Sequence, residues 1–122
     1  MEFCWVTINV KNMAESLSFY QEIVGLKVNR KMNPVPEIEI AFLGTETSET
    51  EIELIKNKNT ASAHCDGVSL GFTVESLDKT IDMLKKKKIE ELEGPFQPTP
   101  KIRFFYIKDP NGIKIQFVEN IK

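Results

Sequence analysis

From Phe3 to Val28 the chain reads FCWVTINVKNMAESLSFYQEIVGLKV, and its apolar positions change period within that stretch. Val6, Ile8 and Val10 alternate with Trp5, Thr7 and Asn9, the two-residue period of a strand with one buried face. From Met13 onward, Met13, Leu17, Tyr20 and Val24 recur at three or four residues, with Phe19 and Ile23 widening the stripe, which predicts an amphipathic helix. Asn12 stands where an N-cap belongs, Glu15 follows it at the third helical position, and Gly25 supplies a left-handed stop.

The same phrase recurs later. Sliding the chain by 64 positions lays Val6, Ile8 and Val10 on Leu70, Phe72 and Val74, and Asn12 on Ser76, a second capping residue with Asp78 in the first turn. The helix after Ser76 presents Leu77, Ile81, Met83 and Leu84 and ends in Lys85 to Lys88, where positive charge suits a helix C-terminus. Each helix is followed by three strand patterns: Leu26 to Met32, Glu37 to Leu43 and Glu51 to Lys56, then Glu91 to Phe96, Ile102 to Lys108 and Ile113 to Glu119. Asn33-Pro34 with Pro36, and Gly94-Pro95 with Pro98 and Pro100, read as strand breaks, and DPNG at Asp109 to Gly112 reads as a four-residue hairpin turn. The chain is thus expected to be α+β, one domain of two tandem β-α-β-β-β units forming a curved mixed sheet around a groove, with helices on the outer face. Unit one covers about 1–56, a polar linker 57–67, and unit two about 68–122.

Composition narrows the function classes. A net charge of -2 gives no general attraction for nucleic acid or anionic lipid, and the lysine run lacks interleaved aromatics, so it reads as a solvated helix end. The chain opens directly into a strand pattern and has no membrane-length apolar run, which leads us to expect a cytoplasmic protein without nucleic-acid or membrane partners. Cys4 reads as a small core thiol and Cys65 as a loop thiol, both free. His64-Cys65-Asp66 contains ligand-type side chains, but adjacent residues seldom converge on one ion, so a surface loop is expected.

The paired units, SLSFYQEIVGLKV after the first strand and DPNGIKIQFVE near the end together resemble the vicinal oxygen chelate superfamily of lactoylglutathione lyases, bleomycin-resistance proteins and extradiol dioxygenases. The resemblance implies a homodimer and, in enzyme members, a divalent metal held by one residue on the first and one on the last strand of each unit. Here those positions are Trp5, Glu53, Ser69 and Gln116. An indole has no in-plane lone pair to give, serine is a poor ligand and glutamine offers one neutral oxygen, so neither metal nor other cofactor is expected.

Strand parity puts Trp5, Thr7, Ser69 and Gln116 on a groove face, and pairing the last hairpin through a four-residue turn adds Phe105 and Arg103, whose repeat partners are Ala41 and Glu39. The expected ligand site is therefore Trp5, Thr7, Glu39, Glu53, Ser69, Arg103, Phe105 and Gln116, suited to a small molecule of aromatic or cationic character. Trp5 either walls this site or plugs the space of a lost metal. Tyr20 and Tyr106 fall on the apolar side in this phasing. The favoured function is metal-independent binding of a small molecule. The alternative is a lactoylglutathione-lyase-like enzyme in which Glu53, if any residue, is catalytic.

Overall fold

In the computed structural model, residues 1–59 and 66–122 are described, and the chain divides into two units, Met1–His64 and Cys65–Lys122. Of the His64-Cys65-Asp66 cluster, only Asp66 falls among the described residues. The alternation at Val6, Ile8 and Val10 becomes β1 (Trp5–Asn9), followed by α1 (Met13–Ser18), β2 (Lys27–Val35), β3 (Ile38–Gly44) and β4 (Glu51–Asn57). The second unit repeats the order with β5 (Ser69–Thr73), α2 (Leu77–Lys86), β6 (Glu93–Thr99), β7 (Ile102–Lys108) and β8 (Lys114–Asn120). Each unit forms its own four-stranded mixed sheet, ordered β1-β4-β3-β2 and β5-β8-β7-β6. The helix crossover makes the first and last strands of a unit parallel, and the hairpins make the rest antiparallel.

Both helices start at the expected caps. The Asn12 side chain accepts from the Glu15 amide at 2.9 Å and the Ser76 hydroxyl from the Lys79 amide at 3.2 Å. The first helix does not run on to Val24: after Ser18 it opens into a π-helical turn, Phe19–Ile23, in which the Val24 amide reaches the Phe19 carbonyl. That turn precedes Gly25, at φ +85°, and Tyr20 inside it is fully buried. The prolines also behave otherwise than expected. Pro34 sits within β2, and Pro95 and Pro98 within β6, because both strands are sheet edges, where a missing N–H need not cost a ladder bond.

One face of each sheet is the core. Ile8, Val10, Ala41, Leu43, Ile52 and Leu54 are buried in the first unit, and Phe105, Ile107, Ile115 and Phe117 with Leu77 and Leu84 in the second. Cys4 precedes β1 and is exposed and free, so it is no core thiol. No helix among the described residues is long and apolar enough to cross a membrane.

The last hairpin corrects the expected phasing. Tyr106, not Phe105, pairs with Gln116; Phe105 pairs with Phe117 and Arg103 with Glu119. The reason is the loop. The Asp109 amide donates to the Ile113 carbonyl and the Gly112 amide to the Asp109 carbonyl, leaving Pro110-Asn111-Gly112 as a three-residue connection with Gly112 at φ +88°. A three-residue loop with glycine in the left-handed region shifts the partner by one relative to an even turn, and a one-residue slip exchanges the faces. In the first unit Glu39 and Ala41 likewise pair with Lys56 and Leu54, leaving Phe42 opposite Glu53.

This register predicts unlike outcomes at neighbouring positions. Phe105→Ala should cost about 3–5 kcal/mol by leaving a cavity, whereas Tyr106→Phe should cost no more than about 1.5 kcal/mol, the range of one hydrogen bond. Urea unfolding of the two variants measures both.

Candidate functional site

Each sheet has a second face, opposite the core, and most of the polar candidates lie on it. In the first unit, Trp5 pairs with Glu51 and Thr7 with Glu53 across the parallel β1/β4 ladder, so all four side chains share that face. Phe42 of β3 lies opposite Glu53, and Arg30 of β2 lies opposite Phe42. The Trp5 and Phe42 rings meet edge to face at 5.3 Å, and the Arg30 guanidinium lies 3.9 Å from the centre of the Phe42 ring. Phe42 is buried beneath these neighbours, while Trp5 keeps 44% of its surface exposed. Electrostatics separates the two carboxylates. Glu51 is held by Arg30 at 3.0 Å and receives the Asn29 amide at 3.0 Å. Glu53 accepts from the Thr7 hydroxyl at 2.6 Å, and among the described residues no cation pairs with it.

The second unit repeats this layout with different chemistry. Ser69 pairs with Lys114 and Gly71 with Gln116 across β5/β8, and Tyr106 lies opposite Gln116. Gln116 donates to the Tyr106 hydroxyl at 3.3 Å, and Phe96, Phe104 and Tyr106 form an aromatic cluster with centroid separations of 5.6 to 6.5 Å. Lys114 lies 5.2 Å from the Tyr106 ring centre and 3.0 Å from the Glu93 carboxylate.

The structure therefore brings Trp5, Thr7 and Glu53 together on one sheet face, and Ser69 and Gln116 together on another. Three expected site residues lie elsewhere. Phe105 is a fully buried core residue; Arg103 reaches Asp78 of α2 at 3.5 Å, tying sheet to helix; and Glu39 stands beside Lys11, Asn12 and Lys56 at the start of α1. Glu119, the register partner of Arg103, helps dock that helix by accepting from the Leu77 amide at 2.6 Å. All three misplacements descend from the hairpin register. The residues on these two faces that sequence reasoning did not place there are Arg30, Phe42, Phe96, Phe104, Tyr106 and Lys114. Lys114 was findable by parity with Gln116, and Tyr106 by reading Gly112 as the left-handed residue of an odd loop. No cluster of three or more His, Cys, Asp or Glu side chains placed to hold a metal occurs among the described residues.

Comparison with known proteins gives consistent matches. The family model described as "Glyoxalase/Bleomycin resistance protein/Dioxygenase superfamily" matches residues 3–117. A lactoylglutathione lyase of Haemophilus influenzae is 29% identical, covering 98% of this chain and 93% of that protein. A probable lactoylglutathione lyase of Synechocystis is 31% identical, covering 92% and 90%. Among solved structures, a glyoxalase family protein from Bacillus cereus superposes with a TM-score of 0.79 at 25% identity, covering 96% of this chain and 92% of its own. TnmS3, an antibiotic binding protein from Streptomyces, shares the fold with a TM-score of 0.78 at 18% identity, covering 98% and 96%.

Proposed function

The chain belongs to the glyoxalase/bleomycin resistance protein/dioxygenase superfamily, and from that premise we propose that it binds a small molecule without a metal, on the sheet face that carries Trp5 and Glu53. The observation behind this reading is the donor chemistry at the four positions that correspond to the superfamily's metal ligands. A divalent transition metal favours imidazole, thiolate or carboxylate. Trp5 gives an indole whose nitrogen is a donor only, Ser69 a neutral hydroxyl, and Gln116 an amide that already donates to Tyr106. Glu53 is the one anionic donor, and one of its oxygens already accepts from Thr7. This set does not fit a tightly held metal ion.

What remains suits a ligand. Trp5 offers an exposed ring fixed at its edge by Phe42, and Glu53 a carboxylate without a cationic partner among the described residues. An aromatic wall beside an uncompensated negative charge favours a planar or cationic group. TnmS3, at 18% identity, supports the fold and not this ligand class. The superfamily resemblance further implies a homodimer.

A second reading is favoured by those relatives that are lactoylglutathione lyases or probable ones. In it Glu53 serves as a general base in a lyase-like isomerisation. Without a strong Lewis acid the enediolate that such a reaction develops lacks its main electrostatic support, and several kcal/mol of barrier would have to come from elsewhere.

Two experiments separate these readings. Dialysed protein should show no stoichiometric binding of Zn²⁺ or Ni²⁺ by calorimetry, and isomerisation of the methylglyoxal–glutathione thiohemiacetal should stay at background with either ion added. Stoichiometric binding and turnover, both lost in Glu53→Gln, would instead establish the lyase. A panel of aromatic cations should quench or shift Trp5 emission, which comes from the chain's single tryptophan. Glu53→Gln should weaken those cations by about 1.5–3 kcal/mol, the range for a hydrogen bond to a charged group, while sparing neutral isosteres. Cations that bind by calorimetry yet leave both the emission and the variant's affinity unchanged would place binding elsewhere.

A further inference from the structure

The connection between β7 and β8 contains Asn111-Gly112, and Asn111 is the one asparagine in the chain followed by glycine. In such a pair the glycine amide nitrogen can attack the asparagine side-chain carbonyl carbon, because a residue without Cβ offers no hindrance and turns freely. A bond forms between that nitrogen and Cγ, the bond from Cγ to Nδ2 breaks, and the side-chain amide leaves as ammonia with the proton from the backbone nitrogen. The product is a five-membered succinimide. One water molecule from solvent then opens either of its carbonyls. One opening gives aspartate; the other gives isoaspartate, whose main chain runs through the side chain and is one carbon atom longer.

The folded loop opposes each stage of this chemistry. The attacking species is the deprotonated nitrogen, and here the Gly112 N–H donates to the Asp109 carbonyl at 3.1 Å, which holds the proton in place. Asn111 keeps only 8% of its surface exposed, so hydroxide has little access. Its Nδ2 donates to Asp109 Oδ2 at 3.4 Å, which sets the reacting amide beside a carboxylate. Attack would build negative charge on the amide oxygen next to that carboxylate, and like charges in a buried loop repel strongly. The other Asp109 oxygen already accepts from the Asn111 and Ile113 amides, both at 2.8 Å. Both strands leaving the loop enter the core at once, through Ile107 on one side and Ile113 and Ile115 on the other. All these bonds therefore break together, when the second unit opens.

We propose that Asn111 is a modification site controlled by the fold: it stays an amide while the second unit is folded, deamidates when that unit unfolds, and as isoaspartate prevents the hairpin from forming again. The aspartate product replaces the Nδ2 donor to Asp109 with a second carboxylate, which sets two negative charges in one buried loop. Isoaspartate does more. It adds a main-chain atom between Asn111 and Gly112, inside the span over which the Asn111 and Ile113 amides meet a single Asp109 oxygen. The hairpin register depends on that loop length, so the pairing of Phe105 with Phe117 and of Tyr106 with Gln116 is lost with it. Unfolding of this chain thus becomes irreversible with time, through a covalent change at one residue. None of this uses the Trp5 and Glu53 face, and it holds whatever that face binds.

The test holds the full chain in mildly alkaline buffer with and without urea. Peptide mapping by mass spectrometry follows conversion of Asn111, with isoaspartate told from aspartate by electron-transfer fragmentation. In urea, Asn111 should convert ahead of Asn9, Asn29 and Asn120, none of which precedes glycine. In native buffer its conversion should be slower by roughly a hundredfold or more, since only the opened fraction reacts. Phe105→Leu, a core change outside the loop, enlarges that fraction and should speed native conversion in step with its loss of stability in urea. A variant that fails to fold should convert at the urea rate, the limit of the same dependence. On removal of urea, unconverted chains should regain the native ¹⁵N NMR signals of Tyr106 and Gln116, and isoaspartyl chains should not. Equal rates with and without urea overturn the proposal, as does a native rate unchanged by Phe105→Leu. Recovery of the native Tyr106 and Gln116 signals by isoaspartyl chains overturns it equally.

Discussion

The Asp109 carboxylate fixes the register on which the second unit's two faces depend. One of its oxygens accepts from the Asn111 and Ile113 amides, both at 2.8 Å, inside a loop where Asp109 and Asn111 are buried. Those bonds, with Gly112 in the left-handed region, hold the hairpin at an odd loop length. From that length it follows that Phe105 and Phe117 face the helix and that Tyr106, Gln116 and Lys114 face away from it. An even turn would put Phe105 on the face of Gln116 and Lys114 and Tyr106 on that of Ile115 and Phe117, so the composition of core and open face is set by one connection.

The fold was legible because its signals are local and are repeated. Caps at Asn12 and Ser76, alternation in Val6 to Val10 and Leu70 to Val74, and the return of the whole pattern after 64 positions specify two β-α-β-β-β units without reference to any long-range contact. Hairpin register was not legible, since DPNG permits more than one loop length and the choice rests on hydrogen bonds made by a buried carboxylate. That uncertainty moved Arg103, Phe105 and Glu39 onto the wrong face and hid Tyr106 and Phe42. The strand-breaking weight given to Pro34 and Pro95 failed differently, because a proline's cost depends on whether its strand is an edge, which is a property of the sheet.

Superfamily membership fixes the scaffold but leaves the chemistry to a few side chains. Here those side chains divide by charge. The first unit's open face concentrates carboxylate on its inner strand beside an indole, with Arg30 drawing off only Glu51. The second carries ammonium and phenol on the corresponding strands, beside small residues that leave the surface open. Both faces combine aromatic rings with a few polar groups. The repeat supplied two copies of one frame, with side chains of different charge at equivalent positions.

The central claim is that Trp5 and Glu53 act together as a ligand site without a metal. The most direct measurement follows the Trp5 indole N–H and the Glu53 side-chain carboxyl carbon by NMR in one titration with benzyltrimethylammonium, in buffer containing EDTA. The account predicts that both resonances move along a single saturation curve and that adding Zn²⁺ in excess of the chelator changes neither the curve nor its midpoint. Resonances that stay still until the metal is added, or a carboxyl signal that responds to Zn²⁺ alone, would contradict it.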